Sequence, residues 1–139
     1  MKRYLLDNGA LVAYLKGRPG ATQLIRPWVI AREVATSLVV HGESIEYIRG
    51  DPDYARRKSD LRVLLREVTP LRLTYDILER YADLRRAMRK PYGSGLIGDV
   101  DTLIAATAME HGLTVVTLDG DFDRVPGLSV MLLHRAALM

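Results

Sequence analysis

The stretch Asp99-Val100-Asp101-Thr102-Leu103-Ile104-Ala105-Ala106-Thr107-Ala108-Met109-Glu110-His111-Gly112-Leu113-Thr114-Val115-Val116-Thr117-Leu118-Asp119-Gly120-Asp121 decides the fold class. Two acids open an Ala-rich helix at its N-terminus, where the positive end of the helix dipole favours negative charge, and the helix runs to about Glu110. His111-Gly112 stops that helix, with Gly at the left-handed position beyond its last turn. Leu113 to Leu118 then reads as a short apolar strand, and Asp119-Gly120-Asp121 as a turn. A helix feeding through a tight stop into an apolar strand is half of a βαβ unit, so the pattern predicts a parallel sheet.

The rest of the chain repeats this alternation. Toward the N-terminus, residues 3–6 read as a strand ending at Asp7, and 9–16 as a helix with Ala10, Leu11, Tyr14 and Leu15 at helical spacing. Gly17-Arg18-Pro19-Gly20 stops it, and a second helix is expected over about 21–30. Residues 33–39 read as a second strand that passes into a helix around Glu43 to Ile48. A basic helix follows Gly50-Asp51-Pro52-Asp53 over roughly 54–66, then a short strand over 68–73 and a long helix from about Tyr75 to Lys90. Residues 91–95, Pro-Tyr-Gly-Ser-Gly, read as loop, and Leu128 to Leu133 as the last strand. The expectation is an α/β protein, residues 1–139 as a single domain, with a central parallel sheet of about five strands.

Composition supports an aliphatic core. Hydrophobic residues make up 48% of the 139, with seven Tyr, one Phe and one Trp. The absence of cysteine excludes a disulfide scaffold, a zinc ribbon and a thiol nucleophile. The apolar run before Asp7 is too short for a signal-peptide core, and no stretch reaches the ~18 residues of a membrane span, so a cytoplasmic protein with no membrane association is expected. The net charge of +3 permits a polyanionic partner without demanding one.

The acids carry the chemistry. In an open parallel sheet the carboxyl ends of the strands share one edge, and ligands bind in the crevice there. Asp7 and Asp119 fall at strand ends, Glu43 lies in the helix after the second strand, and Asp101 reaches the same edge if its helix begins over it. Carboxylates brought together repel one another, and burial makes the repulsion worse. A hard divalent cation offsets it, and carboxylate-held Mg²⁺ or Mn²⁺ activates water for displacement at phosphorus. The residues therefore point to a metal-assisted phosphodiester or phosphate-ester hydrolase. Capping and dipole effects alone also place Asp and Glu at helix starts, and a plain turn would explain Asp119-Gly120-Asp121. His41 lies in an apolar run and reads as a packing residue.

Four blocks resemble VapC-like PIN domains: Tyr4-Leu5-Leu6-Asp7 with Ala10 to Leu15; Thr36-Ser37-Leu38-Val39-Val40-His41-Gly42-Glu43; Ile97 to Ala108; and Val115 to Phe122 with Val125-Pro126-Gly127-Leu128. They occur in the family's order and at about its spacing. The resemblance implies a three-layer αβα fold, Mg²⁺- or Mn²⁺-dependent endoribonuclease activity on RNA, a homodimer, and inhibition by a cognate antitoxin in a type II toxin–antitoxin pair. Asp7, Glu43, Asp101 and Asp119 fall on the family's acidic quartet. The resemblance implies Asp7 and Asp101 as metal ligands, with Asp119 a ligand directly or through water. It gives Glu43 the attacking water or a second metal, and leaves Asp99 and Asp121 as supplementary. The family follows its first acid with Thr or Ser; here Asn8-Gly9 stand there, and Asn8 offers a cap and a carbonyl oxygen instead.

Other readings fit less well. A haloacid-dehalogenase-like phosphatase needs a second Asp where Gly9 stands, and a receiver-like domain needs a Lys after the last strand, whereas no Lys follows Lys90. A catalytically weak PIN-like RNA- or protein-binding module remains the alternative. Basic residues cluster in Arg49 to Arg66 and in Arg80 to Lys90, and the block Arg85 to Lys90 is the expected RNA contact. An apolar groove between the second helix, with Leu24, Ile25 and Trp28, and the helix after Pro52 is the expected antitoxin seat, unless Trp28 is core.

Overall fold

The computed structural model describes all 139 residues. Strands β1 (Tyr4–Leu6), β2 (Val34–Ser37), β3 (Thr69–Leu71), β4 (Thr114–Thr117) and β5 (Val130–Leu132) form one sheet in the order β3-β2-β1-β4-β5. Every pairing is parallel, with Leu5 between Ala35 and Val115. The chain winds outward from β1 to β3 through helices α1 (Asn8–Leu15), α2 (Pro19–Ile30), α3 (Leu38–Ile48) and α4 (Tyr54–Leu64). It then crosses back to β4 through α5 (Tyr75–Met88) and α6 (Asp99–His111). Right-handed crossovers place α1–α4 on one face and α5–α6 on the other. The packing agrees: α1 contacts α2, α3 and α4, while the most extensive helix pairing is α5 on α6. The result is a three-layer α/β fold with a central parallel sheet of five strands.

The strands are short because both faces are covered. Leu5, Leu6, Val34, Ala35, Val115 and Val116 are fully buried and belong to a single cluster of 27 core residues. Alternation is unnecessary in such a sheet, so the strands read as plain apolar runs. The helix that decided the fold class ends as expected: Gly112, at φ 66°, turns the chain back and α6 leads into β4. Because α6 therefore runs antiparallel to β4, it begins over the carboxyl edge of the sheet.

Several boundaries differ from expectation for local reasons. The second strand stops at Ser37 because its Oγ accepts from Val39 N at 3.1 Å and caps α3, so Leu38 and Val39 are helical. Pro19, expected in a stop, is the first residue of α2, where its missing N–H costs nothing. The turn after β4 is a 3₁₀ helix over Gly120–Arg124, and a further helix, α7 (Arg135–Leu138), closes the chain. Trp28 lies on the core side: it stacks on Tyr4 with ring centroids 4.0 Å apart and planes 16° apart. The groove between α2 and α4 is lined instead by Tyr14, Leu15, Val63 and Leu64, with Arg26 and Asp60 among its polar residues.

Helix α7 packs on α2 at Gly20, whose N–H donates to Met139 O at 3.0 Å. A Cβ at Gly20 would collide with the backbone of Ala137 and Leu138. Gly20→Ala is therefore expected to undock α7 and cost about 1–3 kcal/mol, read as a lower melting temperature and as faster amide exchange confined to residues 135–139. Unchanged exchange there would contradict this packing.

Candidate metal centre

Strands β1 and β4 are neighbours from which the chain departs in opposite directions, and this is where a parallel sheet opens a crevice at its carboxyl edge. Asp7 follows β1 and Asp119 follows β4 by two residues, so they flank the opening from below. Glu43 comes from the second turn of α3 and Asp101 from the first turn of α6. All four expected acids line one cleft, and no Lys, Arg or His lines it.

Hydrogen bonds fix the floor. Asp7 caps α1: one carboxylate oxygen accepts from Asn8 N at 2.8 Å, and the other accepts from Thr117 Oγ1 at 2.7 Å. Thr117 Oγ1 in turn accepts from Asp119 N at 3.0 Å, so one buried hydroxyl ties the two strand-end acids together. Asp119 Oδ1 accepts from Asp121 N at 2.9 Å and caps the 3₁₀ helix. Asn8 does not cap; its Oδ1 accepts from buried Ser44 Oγ at 2.9 Å and joins α1 to α3 one residue from Glu43.

The electrostatics follow from this crowding. Burial, then the charges of Asp7 and Asp101, push the Glu43 carboxyl up to about 7. Burial, then Asp7 and Asp119, push Asp101 up to about 6. Asp7 is also raised, mainly by burial, against the lowering effect of its bonds from Thr117 and Asn8. One oxygen of Glu43, Oε1, is buried and has no hydrogen-bond partner. The carboxylates of Asp101, Asp119 and Asp121 present oxygens within 4.8 Å of one another. An all-oxygen donor set with an orphaned carboxylate oxygen and no internal cation fits a hard divalent ion such as Mg²⁺ or Mn²⁺.

The two supplementary acids separate. Asp121 joins the cluster, whereas Asp99 turns to α5, accepting from Tyr81 Oη at 3.0 Å and pairing with Arg85 at 2.8 Å. That pairing also occupies the first cation of the block expected to touch RNA. Thr117 and Ser44 carried no expectation, although each stands within two residues of an acid that had one. His41 Nδ1 is buried without a partner and lies outside the lining of the acidic cleft.

Sequence and structure comparisons identify the fold that carries this acidic crevice. The PIN domain family model matches residues 4–128, and the chain belongs to the PIN-domain family. No curated protein matches it by sequence. Among solved structures it is similar to a chain of VapBC2 from Rickettsia felis bound to a promoter DNA fragment, with TM-score 0.81 and 21% identity over 94% of this chain and 98% of that one. It is also similar to a chain of DNA-bound VapBC from Salmonella typhimurium, with TM-score 0.80 and 20% identity over 94% and 98%. A toxin–antitoxin complex from Klebsiella pneumoniae gives TM-score 0.69 and 25% identity over 92% and 95%.

Raised carboxyl pKa values make the metal-free fold less stable at high pH. Glu43 rises from 4.5 to about 7 on folding, so the folded state holds its proton more tightly. The resulting penalty is absent below the unfolded value and complete above the folded one. The melting temperature of wild type in a chelator should therefore fall, relative to Glu43→Gln, as pH rises from about 5 to about 8. Parallel curves for the two proteins across that range would contradict the assigned burial of Glu43.

Proposed function

We propose that this protein is a metal-dependent endoribonuclease, the toxin half of a toxin–antitoxin pair. The observation that carries the reading is the convergence of Asp7, Glu43, Asp101 and Asp119 on one cleft with no cation of its own. Family membership and the toxin–antitoxin complexes among its structural neighbours support the toxin role.

Asp7, Asp101 and Asp119 would hold Mg²⁺ or Mn²⁺, with Asp121 completing the outer side of the set. The ion, when bound, supplies an activated water and bracing of the phosphodiester oxygens. Thr117 and the Asn8 N–H fix both oxygens of Asp7, so its ligand geometry is set before any ion arrives. Glu43, which lines the same cleft from α3, would orient the attacking water and take its proton. The bond from Ser44 to Asn8 holds α1 against α3 beside Glu43.

The antitoxin would seat apolar side chains in the α2–α4 groove over Tyr14, Leu15, Val63 and Leu64, and present a cation toward the acidic cleft. Leu38 and Val100, 46% and 41% exposed, open the contacting helices α3 and α6 and offer apolar surface for a homodimer.

Asp7→Asn and Asp101→Asn are each expected to abolish cleavage of labelled RNA in Mg²⁺ or Mn²⁺ without loss of fold, because each removes a ligand while relieving repulsion. The melting temperature of Asp101→Asn in chelator should match or exceed wild type, whereas Asp7→Asn also gives up one of the two hydrogen bonds that its carboxylate accepts. Cleavage by both variants at the wild-type rate would defeat the site assignment. Purified wild type that binds RNA but cuts none at any divalent-ion concentration would favour the binding-module reading instead. Thr117→Val should raise the Mg²⁺ concentration needed for half-maximal cleavage roughly 10- to 100-fold, as losses of hydrogen bonds to metal ligands generally do. An unchanged titration would show that Thr117 is structural only.

A further inference from the structure

Beside the acidic cleft lies a second cavity, of about 120 Å³, that shares Asn8, Gly9 and Leu118 with it. The two hollows have opposite character. No Asp or Glu side chain lines the second; its charged side chains are Lys16, Arg18 and Arg135, Met139 with its terminal carboxylate also borders it, and its wall includes Val12, Ala13 and Leu138. Lys16 is held in place: Nζ donates to Tyr47 Oη at 3.2 Å and sits 4.8 Å from that ring's centroid. Arg18 and Arg135 form no ion pair within the fold, whereas Arg56, Arg57, Arg80 and Arg85 are all paired with acids.

We propose that this cavity is a nucleotide subsite for single-stranded RNA. One base enters against Val12, Ala13 and Leu138, its phosphate lies on Lys16 and Arg135, and the neighbouring phosphodiester is thereby set over the acidic cleft. The assignment rests on the ribonuclease reading above and extends it to how the strand is held.

Three observations select this occupant. The volume is well below the ~300–1,000 Å³ of pockets that enclose a whole ligand, so it accepts one ring with the rest of the molecule outside. An apolar wall beside free cations suits a group that joins a flat ring to a phosphate; a bare phosphate would gain nothing from Val12 and Leu138. The shared wall means that a strand filling the cavity continues directly over the four carboxylates. A base must leave its stack to enter, which favours single-stranded or looped RNA over duplex.

Binding of a short fluorescein-labelled single-stranded RNA, read by anisotropy with Ca²⁺ in place of Mg²⁺, tests the subsite. Lys16→Ala and Arg135→Ala should each weaken binding several-fold and reduce the slope of log affinity against log salt by about 0.7, the contribution of one phosphate contact on a single strand. Ala13→Leu, which fills the cavity, should weaken binding roughly tenfold with the salt slope unchanged. Lys2→Ala, at the opposite edge of the sheet, should change neither. Calorimetric titration of the three cavity variants with Mn²⁺ should match wild type, which separates the subsite from the metal cleft. Wild type that binds no RNA overturns both the subsite and the ribonuclease reading. Wild type that binds and cleaves, with Lys16→Ala and Arg135→Ala equal to it in affinity and salt slope, overturns the subsite alone. If Ala13→Leu fails to fold, the two cation variants, which leave the core untouched, decide the matter.

Discussion

Mutual repulsion among Asp7, Glu43, Asp101 and Asp119 is the constraint around which the protein is organised. Nothing in the cleft offsets it: no cation lines the walls, and burial is the first cause of every carboxyl shift there. An isolated cluster of this kind would relax by turning its side chains outward. It is held because each acid is rooted in an element that cannot move. Asp7 continues a strand whose Leu5 and Leu6 are fully buried, and Asp119 follows Val115, Val116 and Thr117, which are buried as well. Asp101 stands on the most buried helix of the fold, where Thr102 and Ile104 to Ala108 are all interior. The core thus supplies rigidity that the cleft uses, a common arrangement where function needs a locally unfavourable geometry.

Much of this was legible because strand direction and strand ends are written in short-range pattern. Asp7 and Asp119 could be placed from apolar runs that stop at an acid; Asp101 could be placed only on the condition that its helix begins over the same edge, which the sheet topology meets. What pattern could not separate was Asp99 from Asp121. Both lie two residues from a quartet acid, yet two residues on an α-helix turn a side chain by about 200°. Asp99 must therefore face away from Asp101, and it meets Tyr81 and Arg85. The 3₁₀ helix capped by Asp119 brings Asp121 back to the cluster, and no periodicity announces a 3₁₀ helix five residues long. Helix α7, at four residues, leaves no periodic trace either.

Thr117 and Ser44 illustrate a different blind spot. Each is a small hydroxyl residue in an apolar setting, and sequence alone treats such residues as filler. Their roles depend on contacts across the fold: Thr117 bonds to Asp7, 110 residues away, and Ser44 to Asn8, 36 away. The Ser44 bond also recasts the Asn8-Gly9 departure. Read along the chain it is a missing hydroxyl; in space the Asn8 side chain accepts one from Ser44 on α3.

The cations show most clearly why linear clustering misleads. The conspicuous basic runs lie on helices that also carry acids or face them, and Arg56, Arg57, Arg80 and Arg85 are spent on ion pairs. Lys16, Arg18 and Arg135 sit in unremarkable stretches, and folding gathers them beside the cleft. For a polyanionic strand this juxtaposition creates an order of events. The four-carboxylate cleft, metal-free, repels phosphate while the cavity next to it attracts one. On the proposed reading a divalent ion would cancel that repulsion at the cleft, so ion and strand would each favour the other's binding, reciprocally by linkage. A strand held first by its cations and base would then meet a cleft that accepts it only when the metal is in place.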